Sequence, residues 1–104
     1  MSNLKTKLIH ELRKIDGVED RPSPVAGGSA LFYHGKEFAH FDNESELDLR
    51  LTKKVIKRLG MTHPTDSKRH PNRSPNSPWI VIRFNDPGDI ENISRLVKLA
   101  VAEL

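Results

Sequence analysis

Five histidines are the side chains of this 104-residue chain best suited to chemistry near neutral pH, since the chain has no cysteine. His40 is the most informative of them. It lies on a predicted strand, and a tight hairpin turn would bring Asp48 of the next predicted strand opposite it. A carboxylate beside an imidazole fixes its tautomer and raises its basicity, as general bases and metal ligands both require. The alternative for this pair is a cross-strand charge pair at the protein surface.

The other potential metal ligands carry weaker signals. His63 and His70 each precede a proline and match no standard zinc spacing, and weak metal binding by the two together with Asp66 is the alternative. The absence of cysteine excludes disulfides, thiolate catalysis and Cys-ligated metals. The chain also contains no nucleophile elbow, Walker loop or Rossmann fingerprint. The sequence therefore predicts neither a metal nor a cofactor.

An asymmetric charge distribution lies behind the formal net charge of +3. Five acids and no Lys or Arg lie between residues 37 and 48, whereas eight bases and one acid lie between residues 50 and 73. Such a basic block can hold phosphates in a salt-dependent manner. The nucleic-acid candidates are Lys53, Lys57, Arg58, Lys68, Arg69 and Arg73. The alternative is the solvated face of a short helix, and no aromatic residue lies within the block to stack on bases.

The hydrophobic pattern predicts the elements that position these residues. Apolar residues about four apart predict a first helix that stops at Gly17, and the stretch after it predicts at most a very short edge strand. Three strands joined by short turns follow over 29–34, 36–41 and 46–51. In the last of these, strict alternation places the leucines on one face and Glu46, Asp48 and Arg50 on the other.

The second half of the chain predicts a helix, a loop, a strand and a helix. Thr52 is expected to cap a short helix over 53–59. Residues 62–78 contain four prolines and indicate a long basic loop. The β-branched and aromatic run 79–84 predicts a central strand. The last helix is expected to begin at Asp86 and Pro87.

The predicted fold is an α+β domain of two layers, with an antiparallel β-sheet of four or five strands and helices on one face. The element order is α-(β)-β-β-β-α-loop-β-α. The length indicates that residues 1–104 form a single domain, with 62–78 as a loop within it. No apolar run approaches the roughly 18 residues of a membrane span, and the N-terminus has no targeting pattern. We therefore expect a cytoplasmic protein without a membrane partner, either a monomer or a homodimer.

Five stretches of the chain stand in an informative order: RPSPVAGGSALFYHGKEFAHF, ELDLRLTKKVIKRLG, THP, SPWIVIRF and DIENISRLVKLA. Together they resemble the luciferase-domain family, a group of small bacterial proteins named for a similarity to fungal luciferases. The positions that match the family pattern are Arg21, Pro22, Gly27, Gly28, His40, Asp48, His63 and Trp79. The family loop often carries a double His where this chain has His63-Pro64 and His70-Pro71. More remotely, the layout resembles the MmcQ/YjbR-type proteins, an α+β group with candidate DNA-binding members.

Three functions follow as hypotheses. The one we favour is a non-catalytic binding domain for an undetermined small ligand or polyanion, with a polar site at the sheet edge. Its residues would be the family positions that packing does not require: Arg21, His40, Asp48, His63 and Trp79. The second is nucleic-acid binding through the basic block. The third is an oxygenase-like or hydrolytic enzyme with His40 as a base oriented by Asp48, ranked last because a shallow sheet in a small domain excludes little water.

Overall fold

A computed structural model describes residues 4–22, 28–63, 73–74 and 76–104 of the chain. In chain order its elements are α1 (Leu4–Leu12), β1 (Val18–Pro22), β2 (Ser29–Tyr33), β3 (Lys36–Asn43), β4 (Glu46–Arg50), α2 (Lys53–Arg58), β5 (Trp79–Arg83) and α3 (Asp89–Ala102). The five strands form one antiparallel sheet in the order β1-β2-β3-β4-β5. This arrangement confirms the predicted two-layer α+β fold.

One face of the sheet is apolar and packs against the helices. Alternation along β4 places Leu47 and Leu49 on this face, and the strand register adds Phe41 from β3 and Ile80 from β5. The buried residues that the three helices contribute to the same core cluster are Leu8, Leu12, Val55, Ile93, Leu96, Val97 and Ala100. None of the described helices is long and apolar enough to cross a membrane.

The other face of β4 is polar in sequence and nevertheless buried. Glu46 and Asp48 are both buried, so four consecutive residues of β4 are inaccessible although the pattern alternates. Alternation predicts correctly which side chains share a face. It does not predict that something covers the polar face, because that depends on chain segments far away in the sequence.

β5 lies at an edge of the sheet, whereas its sequence predicts a central strand. In the part of the chain that the structure describes, β5 pairs with β4 alone. Its residues Ile80 and Val81 point to opposite faces, and both are buried. The apolar composition of β5 therefore reflects burial of both its faces. An edge strand that is buried on both faces has the same composition as a central strand.

The first and last helices are shorter than the apolar pattern predicts. α1 ends at Leu12, five residues before Gly17. α3 begins at Asp89 because Asp86 closes a turn instead of capping the helix: its Oδ1 accepts a hydrogen bond from the Gly88 N–H at 2.9 Å. Of the predicted loop 62–78, residues 64–72 and 75 lie outside the described residues.

Thr52 caps α2, as predicted. Its Oγ1 accepts a hydrogen bond from the Val55 N–H at 3.3 Å. The φ angle of Thr52 is +80°, which is rare for a β-branched residue. The N–H groups of Leu51 and Thr52 both donate to the carbonyl of Pro78, at 2.9 and 3.0 Å. These bonds attach the start of α2 to the residue that precedes β5.

Candidate functional site

His40 and Asp48 face each other across β3 and β4. Their Cα atoms are register partners, and Nε2 of His40 lies 3.2 Å from Oδ2 of Asp48. The His40 side chain is 15% exposed and that of Asp48 only 1%. The predicted pairing is therefore present, but the pair is not the surface charge pair that was the alternative.

A β-bulge brings Glu37 to the same site. Residues three apart in a regular strand point to opposite faces, so Glu37 and His40 would not meet. The register of β2 and β3 shifts where Phe32 pairs with Glu37, which makes Phe38 an inserted residue. The insertion returns Glu37 to the face of His40, with Oε2 3.5 Å from Nδ1. Sequence reasoning missed Glu37 because a bulge has no reliable sequence signal.

Asp42 supplies a further carboxylate from β3. It lies two residues after His40 and therefore on the same face, and it is the inserted residue of a second bulge between Phe41 and Asn43. Its Oδ1 is 3.4 Å from Nε2 of His40, and its side chain is 0% exposed. The turn predicted over residues 42–45 is shorter in the structure, because β3 continues to Asn43.

Arg73 holds Asp48 from the segment that precedes β5. Its Nη1 donates to Oδ1 of Asp48 and its Nη2 donates to Oδ2, the latter at 2.8 Å. A bidentate pair of this kind is among the strongest that a carboxylate forms. The basic block predicts that Arg73 faces phosphates at the surface, but its side chain is 12% exposed and pairs with the buried Asp48.

These contacts determine the charge of Asp48. Burial alone would raise the pKa of its carboxyl group. The hydrogen bonds from Arg73 and then His40, with the positive charges of both, outweigh burial and lower the pKa of Asp48 to about 2. Asp48 is therefore ionised at any pH near neutrality.

The protonation of His40 follows from Asp48. The hydrogen bond to Asp48 raises the pKa of His40, burial acts in the opposite direction, and the charges of Asp48, Asp42 and Glu37 raise it further. An imidazole with a raised pKa binds its second proton more readily and then donates from both nitrogens. The site favours His40 as a proton donor, whereas the sequence suggests a base.

Trp79 forms an aromatic wall beside His40. The two ring centroids are 5.4 Å apart, with the planes inclined by 35°. Trp79 is half-buried at the start of β5, where its Cα pairs with that of Arg50. Three of the five predicted ligand-binding residues thus come together: His40, Asp48 and Trp79. They do so mainly on the middle strands and not at the sheet edge.

The remaining predicted residues have other surroundings. Arg21 lies in the same cross-strand row as His40 but two strands away, where it pairs with Glu19 at 2.5 Å and lies over the ring of Phe32. His63 is half-buried with an inaccessible Nδ1, and its part in ligand binding stays a prediction. Among the nucleic-acid candidates, Lys53, Lys57 and Arg58 are exposed on α2, while Lys68 and Arg69 lie outside the described residues.

His40, Asp42 and Asp48 are able to hold a metal ion as a set. Each offers one ligand atom, and these atoms lie within 4.8 Å of one another. Imidazole and carboxylate are common ligands of zinc and of other divalent transition metals. The ion would compete with the second proton of His40 and share Asp48 with Arg73.

Comparison with known families supplies the classification. The model of the luciferase domain matches residues 35–100, more than half of the chain. The chain belongs to the luciferase-domain family. The matched range includes β3, β4, α2 and β5, and therefore His40, Asp48 and Trp79, whereas Arg21 lies before it. No match was found among curated proteins or among solved structures. The remoter resemblance to MmcQ/YjbR-type proteins stays a prediction.

Proposed function

We propose that this luciferase-domain protein is a binding domain for a small ligand. Its binding site would be the set of Glu37, His40, Asp42, Asp48 and Trp79, here called the His40 site. One observation carries the proposal: His40 is partly exposed, while the Asp48 carboxylate behind it is buried and fixed by Arg73. Buried charged networks contribute little net stability compared with well-packed apolar residues, so such a network points to a role beyond folding.

The chemistry of the His40 site favours a small ligand that carries positive charge. Three of its members are carboxylates, two of them with almost fully buried side chains. The flat face of Trp79 offers an apolar contact at one side. A divalent metal ion or a small organic cation would satisfy the carboxylates, and an organic cation with a flat part would also contact the indole.

Trp79 makes the proposal directly testable, because it is the single tryptophan of the chain and lies beside His40. The protein is titrated with Zn²⁺, Mn²⁺ and a panel of organic amines and amidines, while Trp79 fluorescence and the His40 NMR signals are recorded. We expect at least one probe to shift both signals with saturation. His40→Gln should abolish the Trp79 fluorescence response, and His10→Gln, a change at an exposed histidine of α1, should retain both responses. Binding that survives His40→Gln would refute the assignment.

Proton-transfer catalysis at the same site is a second candidate function. A shallow sheet in a small domain excludes little water, yet the side chains of Asp42 and Asp48 are almost inaccessible. His40 is oriented by Asp48 and would act as a general acid, as its raised pKa favours. Product analysis of any bound organic ligand separates the two functions. An enzyme converts the ligand and loses conversion on His40→Gln, whereas a binding domain returns it unchanged.

Family membership by itself does not extend these proposals to light emission. Function depends on the site and not on the fold, and one fold commonly serves several chemistries. The residues that would act are those of the His40 site. Their ligand is to be identified by the titrations above.

A further inference from the structure

Three of the five acids between residues 37 and 48 are buried in the fold, whereas other acids of the chain, such as Glu19 and Glu91, are exposed. Between residues 37 and 48, the side chains of Asp42, Glu46 and Asp48 are at most 10% exposed. Glu46 pairs with Arg83 at 2.8 Å, and Asp48 pairs with Arg73. A paired acid and base act on the outside as a dipole rather than as separate charges, and their influence falls off quickly.

The bases of α2, by contrast, are all at the surface. This helix carries Lys53, Lys54, Lys57 and Arg58, each of them exposed, and no acid. Residues four apart on a helix are neighbours, so Lys53 lies beside Lys57 and Lys54 beside Arg58. Like charges at this spacing repel, and a bound polyanion would relieve the repulsion.

A shallow cleft lies beside two of these lysines. It has a volume of about 290 Å³ and is lined by Lys53, Ile56, Lys57, Met61 and Asn76. Asn76 belongs to a turn held by hydrogen bonds from its own N–H to Ser74 Oγ and from the Ser77 N–H to the Ser74 carbonyl. The cleft thus combines two ammonium groups, an amide and two apolar side chains, a set that suits a phosphate and its adjoining sugar.

We infer that the exposed face of α2, together with this cleft, binds nucleic-acid duplex through its phosphates. The named lining residues include no aromatic side chain on which a base could stack, which favours a duplex over a single strand. Recognition is by charge and is independent of base sequence. The inference does not rest on the His40 site, whose residues are a different set.

Salt dependence tests the inference. Binding of a labelled mixed-sequence duplex is followed by fluorescence anisotropy at about 50 and 200 mM salt. If the four bases of α2 each neutralise one phosphate, the affinity falls roughly 150-fold between these two concentrations. Absence of binding at the lower concentration, or an affinity that salt does not change, would overturn the inference.

Two charge swaps of equal size locate the surface. Lys53→Glu with Lys57→Glu, and Arg95→Glu with Lys98→Glu on exposed positions of α3, each lower the formal net charge from +3 to −1. In the α2 swap two phosphate contacts remain, so we expect the affinity for duplex to fall only roughly tenfold between the two salt concentrations. In the α3 swap most of the original fall in affinity should remain. Equal losses from the two swaps would show that only net charge matters and would overturn the assignment to α2.

Two further measurements complete the test. The double variant Lys53→Gln with Lys57→Gln should also weaken duplex binding, but less than the swap to glutamate, because glutamine does not repel the phosphates. Unfolding curves of all variants establish that they are folded. Anionic phospholipid vesicles compete for the protein in a parallel titration, and tighter binding to vesicles than to duplex would refute nucleic acid as the partner. His40→Gln should leave duplex binding unchanged, so a failure of the ligand proposal does not decide this one.

Discussion

The guanidinium of Arg73 forms a bidentate pair with the carboxylate of Asp48, a residue 25 positions earlier in the chain. The pair joins the segment before β5 to the polar face of β4 and leaves Asp48 fixed and ionised behind His40. Both side chains are largely buried. The pair therefore influences the charge and the orientation of the partly exposed His40 imidazole.

Removing the Asp48 charge should lower the pKa of His40. The hydrogen bond to Asp48 is the largest cause of the raised His40 pKa, and an amide at this position neither carries the charge nor accepts as strongly. NMR titration of the histidine ring protons in Asp48→Asn measures the shift. Asp20→Asn, at an exposed strand residue paired with Arg13, serves as the control and should leave the His40 curve unchanged.

The neighbouring carboxylates should act on His40 in a graded order. Asp42→Asn and Glu37→Gln remove weaker influences on the His40 pKa, Glu37 being the weakest of the three acids. We expect the pKa to fall most in Asp48→Asn, less in Asp42→Asn and least in Glu37→Gln. An unmoved His40 curve in Asp48→Asn would contradict the pairing itself.

His40 should make the fold less stable as the solution becomes alkaline. Its pKa is raised in the folded state, so protonation of His40 stabilises the fold. This contribution is fully present below the unfolded pKa of about 6.5 and is lost as the pH rises through the folded pKa. Urea unfolding at a series of pH values measures the loss. In His40→Gln the same alkaline decline should be smaller, and an identical decline would contradict the predicted linkage.

Truncating Arg73 should destabilise the protein strongly. Arg73→Ala leaves the buried Asp48 charge without its bidentate partner, and breaking a buried pair of this type costs about 3–5 kcal/mol. Arg73→Lys keeps the positive charge but not the planar fork of the guanidinium. Its free energy of unfolding should therefore lie between those of the wild type and Arg73→Ala. Arg95→Ala, at a largely exposed pair with Glu91, should change the free energy of unfolding by less than about 0.5 kcal/mol.

The acid limb of the stability curve gives an independent readout of the same pair. The pKa of Asp48 is lowered to about 2 in the fold, so its ionisation contributes about 2 kcal/mol that is present above pH ~4 and lost as the pH falls toward 2. Arg73→Ala should raise the pKa of Asp48. The loss of stability that protonation of Asp48 causes at acid pH should then be smaller. An acid limb that Arg73→Ala leaves unchanged would argue against the ion pair.

Two substitutions at Thr52 should separate its cap from its backbone conformation. Thr52→Ala removes the Oγ1 acceptor and keeps a Cβ at φ +80°, so it should lower the free energy of unfolding by about 1 kcal/mol or more. Thr52→Gly also removes the acceptor but adopts positive φ without strain, and should cost only a few tenths. Denaturant unfolding compares the two. If Thr52→Gly destabilised the protein more than Thr52→Ala, this would contradict the positive φ angle of Thr52.

The sequence predicts β2, β3 and β4 well because each carries a local signal, whereas it predicts β1 only as a very short edge strand and β5 as a central one. Alternation in Glu46–Arg50 and the short hairpin before it were sufficient to place His40 opposite Asp48. Thr52 was predicted as a cap from its position directly before an apolar helix pattern. These features depend on residues only a few positions apart.

The rest of the site depends on relationships that no local pattern contains. Glu37 reaches His40 only because of the insertion at Phe38, and Arg73 reaches Asp48 only because the chain returns over the sheet before β5. The pair with Arg73 is one contact that covers the Asp48 carboxylate on the polar face. The sequence shows that Arg73 belongs to a basic block, but it does not show that Arg73 pairs with Asp48.

The strand order implies a sequence of events in folding. Each of β2, β3 and β4 pairs with the strand before it across a short connection, so these hairpins can form from nearby parts of the chain. The pairing of β4 with β5 closes a far longer loop, from Arg50 to Trp79, and carries the greater entropic cost. We therefore expect His40 and Asp48 to meet early in folding, and Arg73 and Trp79 to join them with the last strand. A partly folded chain in which β5 has not yet paired with β4 would have the carboxylates of the His40 site in place but would lack Arg73 and Trp79.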